Sequence, residues 1–206
     1  MIPFFTLNPT YPGWEEELRC CAEVLELRGI RLYPQYHGYR LTDPESVELI
    51  GAVTPLGWTV QVPTHRRSAS ASPADLAEDL KPDEFAAVFN RFPSTPWMVL
   101  NSQRFDGRRL NADANFLIEI SCVTSVLQRN IPALIQTAGV QHLVFGTGMP
   151  FKVPEPALLK LECLETSEVR SRDALLGETL RRHPNSMRSN GEEGNNIYSL
   201  NPQNGG

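Results

Sequence analysis

Positive charge is scarce in this chain of 206 residues. The formal net charge is -5, so no broad basic face exists and nucleic acid is not an expected partner. The small cluster His65-Arg66-Arg67 reads as loop charge. Long apolar runs are missing as well. No stretch approaches the roughly 18 apolar residues of a membrane span, and the opening Met1-Ile2-Pro3-Phe4-Phe5 has no basic flank. Cysteines number four, namely Cys20, Cys21, Cys122 and Cys163. Their spacing contains no CxxC and excludes a zinc finger, and a chain this long does not depend on a disulfide framework. We read them as reduced, mostly buried thiols of a cytoplasmic protein. No Gly-x-Gly-x-x-Gly or P-loop occurs, which removes motif support for nucleotide binding. No Gly-x-Ser-x-Gly elbow occurs, which does the same for serine-hydrolase chemistry. There is no internal repeat.

What is present is a regular alternation of strand-like and helix-like segments. Strands are predicted at Ile2–Leu7, Ile30–Tyr33, Thr59–Val62, Trp97–Leu100, Asn115–Ile120 and Leu143–Phe145. The run Trp97-Met98-Val99-Leu100 is apolar throughout, as a buried parallel strand should be. Helices are predicted from Gly13 to about Leu27, from Pro44 to Gly57, and from Pro82 to about Phe92. Further helices span Val123–Ala138, with a kink or restart near Pro132, then about Pro156–Leu164 and Ser167–Leu180. Pro34–Tyr39 reads as an exit loop, and residues 64–82 as a long polar loop. The tail from 184 to 206 is poor in apolar anchors and is predicted to be disordered. Six βα units imply a parallel sheet with helical crossovers, either doubly wound or a barrel. Periodicity does not choose between them. The length falls short of the about 250 residues of a whole (β/α)₈ barrel.

Several blocks resemble the amidohydrolase-related family, the decarboxylase-like, TIM-barrel branch of metal-dependent hydrolases. They are Thr6-Leu7-Asn8-Pro9, Arg28-Gly29-Ile30-Arg31-Leu32-Tyr33-Pro34, Asn115-Phe116-Leu117-Ile118-Glu119-Ile120-Ser121, and Phe145-Gly146-Thr147 with Met149-Pro150-Phe151. The resemblance covers roughly residues 2–183. It implies one α/β domain over 1–183, a partial TIM-like (β/α)₈ barrel of about six parallel strands with outer helices. It also implies that the first strand here corresponds to the family's third, leaving the chain N-terminally truncated. The family's His-x-His pair, which binds metal, occurs nowhere in this sequence. At the family's other metal positions stand His65, displaced in register, then Asn101, and finally Gly148 in place of an aspartate. Family members use a divalent metal such as zinc or manganese. A catalytic zinc needs about three protein ligands plus water, so no cofactor is expected for this chain alone.

The same alignment places Tyr36, His37, His65, Asn101, Ser121 and Thr147 at the pocket face, where strand C-termini meet. Tyr36 and His37 form the best pair for hydrogen bonding a carboxylate or carbonyl. Against that, His37 also suits a loop-capping role, and Asn101 a turn. Glu119 is expected to form a structural ion pair, because a lone buried carboxylate is costly. His142 lies at the wrong end of its strand for function. The expected activity is impaired: a small molecule or partner is bound without an autonomous metal site. The alternative is a hydrolase or decarboxylase of a small carboxylate, lactone or amide, completed by strands from elsewhere. Open barrel edges predict self-association.

Overall fold

The polypeptide runs repeatedly from strand to helix and back, and each strand pairs with the next one in sequence. A computed structural model describes residues 3–64, 80–102, 110, 114–121, 123, 130–147 and 153–162. Six strands, β1 (Phe5–Thr6), β2 (Gly29–Arg31), β3 (Thr59–Pro63), β4 (Trp97–Leu100), β5 (Phe116–Glu119) and β6 (Leu143–Val144), form one sheet in the order β1 to β6. Every pairing is parallel. Among the described residues six helices accompany them: α1 (Trp14–Glu23), α2 (Pro34–His37), α3 (Pro44–Val53), α4 (Pro82–Arg91), α5 (Asn130–Ala138) and α6 (Glu155–Glu162). Sequential order with helical crossovers is barrel topology rather than a doubly wound sheet, whose order reverses at a switch point. The expectation of a partial (β/α)₈ barrel therefore holds. Among the described residues, β1 and β6 form the two ends of the sheet.

The two faces of the sheet differ because side chains alternate along a strand. Phe5, Ile30, Val60, Trp97 and Phe116 align across the sheet. This row meets the helix layer, since Phe89 of α4 lies 5.0 Å from Trp97 and 5.6 Å from Phe116, centroid to centroid. Thr6, Arg31, Gln61, Met98 and Leu117 form the next row. They point to the concave face, which would be the barrel interior.

Helix patterning explains the packing. Ser46, Leu49, Ile50 and Val53 are buried at helical spacing on α3, and Phe85, Val88 and Phe89 on α4. Pro44 and Pro82 each stand at the first helical position, where their missing N–H is harmless. An aromatic column Phe85–Phe89–Phe116–His142 ties α4 to β5 and to the short turn Val140–His142. His142 stacks on Phe116 at 4.0 Å, and its Nδ1 lies 3.0 Å from the Phe116 carbonyl. It is a packing residue at the N-terminal end of β6.

Several boundaries differ from the sequence reading. Helix α1 stops at Glu23 rather than Leu27, leaving Val24 and Leu25 exposed, and Glu26 turns the chain at φ 50°. Strand β1 is only two residues long. Pro34–His37 is one helical turn, closed by Gly38 at φ 72°, not a loop. Helix α3 ends at Val53, and a 3₁₀ turn over Thr54–Leu56 carries the chain to Gly57 at φ 64°. Val123 sits in a turn onto the Ile120 carbonyl, residues 124–129 of the predicted helix lie outside the described residues, and α5 is described over Asn130–Ala138. Cys21 is buried, and desolvation pushes its thiol pKa up, but Cys20 is exposed, so the pair is not uniformly buried. Cys122, Cys163, His65 and Gly148 lie outside the described residues. So do the whole of the predicted helix Ser167–Leu180, the end of the predicted helix Pro156–Leu164, the tail, and residues 65–79 of the predicted loop. No described helix is long and apolar enough to cross a membrane.

Candidate functional site

The polar residues of the fold collect where strands leave the sheet. At the exit of β5 the chain turns back, so that Ser121 meets the side chain of Glu119. The Ser121 amide donates to Oε1 at 2.6 Å, and its hydroxyl donates to Oε2 at 2.7 Å. Charge-assisted bonds this short are the strong kind. Lys160, reaching over from α6, donates to the Ser121 carbonyl at 2.6 Å. Gly146, at the exit of β6, lies against the same carboxylate: a Cβ there would collide with Glu119 Oε1 and come 2.7 Å from Cδ. Gly146 therefore lets Glu119 approach the neighbouring backbone closely. The bonds described for Glu119 run to Ser121, a partner that the ion-pair expectation did not include.

The other exits are tied together in the same way. Gln35 of α2 donates to the Pro63 and Thr64 carbonyls at 3.3 and 3.1 Å. Thr64 Oγ1 donates to the Asn101 carbonyl at 2.8 Å, and Ser102 Oγ to the Glu119 carbonyl at 3.0 Å. Asn101 takes a left-handed conformation at φ 55°, which asparagine tolerates better than most residues. A belt of side-chain-to-backbone bonds thus runs from α2 across the ends of β3, β4 and β5 to α6.

Beyond the belt, on the concave face, Arg31 of β2 meets Gln61 of β3. Arg31 Nε and Nη2 donate to Gln61 Oε1 at 2.8 and 2.6 Å, and Nη1 lies 3.4 Å from the Tyr33 hydroxyl. Gln61 Nε2 continues the row toward Met98 Sδ at 3.4 Å. An aromatic group adjoins it. Tyr33 packs edge-on against Tyr36 at 5.7 Å and His37 at 6.5 Å, and His37 lies 6.2 Å from Tyr39. Tyr36 is 57% exposed, whereas His37 Nδ1 is buried with no hydrogen-bond partner. Consecutive helical residues point about 100° apart, so α2 sends these two side chains to different surroundings. Burial raises the Tyr39 phenol pKa well above its ordinary value, offset in part by the nearby Tyr33 backbone. No hydrogen bond of good geometry reaches Tyr39 Oη.

Of the residues singled out by sequence, Ser121 is buried in the Glu119 clasp, and Asn101 joins the belt through its carbonyl. Thr147 is half-buried beyond β6, while Tyr36 and His37 flank Tyr33 at the β2 exit. Sequence reasoning did not single out Arg31, Gln61, Gln35, Gly146 or Lys160 for the site. Arg31 and Gln61 carried a signal, since each interrupts an apolar strand with a polar side chain. A family metal finds a poor fit in the described donor set. Among the described residues Glu119 is the one carboxylate at these exits, and it already accepts two bonds. No group of three or more His, Cys, Asp or Glu gathers among the described residues.

Comparison with known proteins places this geometry in context. The family model described as Amidohydrolase matches residues 1–179, and the chain belongs to that family. No curated protein sequence matches it. Among solved structures it resembles a 2,6-dihydroxybenzoate decarboxylase from Rhizobium, with TM-score 0.61 and 15% identity over 88% of this chain and 70% of that one. It also resembles a 5-carboxyvanillate decarboxylase from Sphingomonas paucimobilis, with TM-score 0.63 and 14% identity over 88% and 66%. A third is a 5-carboxyvanillate decarboxylase mutant from Novosphingobium aromaticivorans, solved with manganese and a nitrobenzoic acid, with TM-score 0.63 and 16% identity over 88% and 64%. At such identities the likeness concerns the fold. This chain spans about two thirds of the length of those enzymes.

Proposed function

We propose that this chain is an amidohydrolase-like domain that lacks an autonomous metal site, has impaired catalysis, and binds a small molecule or partner. The observation that carries the reading is the belt across the strand exits. Thr64 and Ser102 tie the ends of β3, β4 and β5 together there, and Ser121 clasps the Glu119 carboxylate. A catalytic zinc needs three convergent protein ligands, and a general base needs a carboxylate or imidazole able to reach a proton. A carboxylate clasped by two donors meets neither requirement without breaking its clasp. Metal analysis after reconstitution with zinc or manganese tests the reading. We expect metal well below one equivalent per chain. Stoichiometric metal in a monomer would overturn it.

A second reading is favoured by the two sheet ends at β1 and β6 and by the partial coverage of the relatives. Unpaired strand edges recruit other strands. In this reading the chain self-associates or receives further βα units from another polypeptide, and the completed barrel performs metal-dependent hydrolysis or decarboxylation. Size-exclusion chromatography with light scattering separates the two readings. An oligomer that takes up metal supports the second, and a metal-free monomer at high concentration rejects it.

A further inference from the structure

We draw no further inference here: the strongest candidate, the apolar surface patch of α6 and its approach, where Val153, Leu158 and Leu159 are exposed, carries nothing because nothing in the structure shows what covers it.

Discussion

Gly146→Ala offers a sharp test of the mouth of the sheet. The new methyl group would land on the Glu119 carboxylate and lie 2.7 Å from its Cδ. A carboxylate is a movable end, so the collision alone is cheap. The cost arises because this end is pinned, and moving it breaks the bonds from Ser121 N and Oγ at 2.6 and 2.7 Å. Hydrogen bonds to a charged group contribute about 1.5–3 kcal/mol each. Glu119 is only half-buried, and water replaces part of the loss, so we expect a total of about 2–4 kcal/mol. For a domain of this size that lowers Tm by about 5–15 °C. Glu119→Ala should cost a similar amount through the same two bonds. The decisive measurement is the double mutant in urea unfolding. With the carboxylate already gone, the alanine methyl has nothing to displace, and the pair should cost about as much as either single change. That corresponds to a coupling of about 2–4 kcal/mol, the cost of one single change. Losses that add within about 0.5 kcal/mol would refute the clasp as the reason for glycine at this position.

Three further outcomes follow from other parts of the fold. Phe89→Ala removes the ring that joins α4 to Trp97 and Phe116, and urea unfolding should show a loss of about 3–5 kcal/mol. Gly29→Ala places a Cβ 2.7 Å from the Thr59 carbonyl, a backbone atom that cannot swing away; we expect a lower Tm than for Ala replacing the open glycine Gly13, despite the positive φ there. Tyr39 has a folded pKa raised by burial, so its contribution is fully present below the ordinary tyrosine value near about 10 and is lost as pH rises above it. Melts from neutral to alkaline pH should show this decline, and Tyr39→Phe should flatten it while costing less than about 1 kcal/mol at neutral pH, since no well-formed bond to the hydroxyl is lost.

The architecture was legible where local chemistry and tertiary demand agreed. Trp97–Leu100 follows Pro96 and is apolar at every position, and it forms β4 at those bounds. The proline-led helices α3 and α4 began where proline placed them. The turn α2 was missed although Pro34 and Gly38 bracket it, a start-and-stop signal that a reading of aromatic loop residues passed over. Helix α1 frayed early because Val24 and Leu25 find no core to join. The site was less legible for a geometric reason. Arg31 and Gln61 stand thirty residues apart and become neighbours only through the β2–β3 register. The Glu119–Ser121 clasp depends on a tight return after β5, which no periodicity encodes.

The sequential strand order has a consequence for biogenesis. Every pairing joins a strand to the one synthesised just before it, so each new βα segment emerging from the ribosome finds its template already in place. Assembly of this kind is vectorial, and the entropic cost of each closure is that of a single crossover rather than of the whole chain.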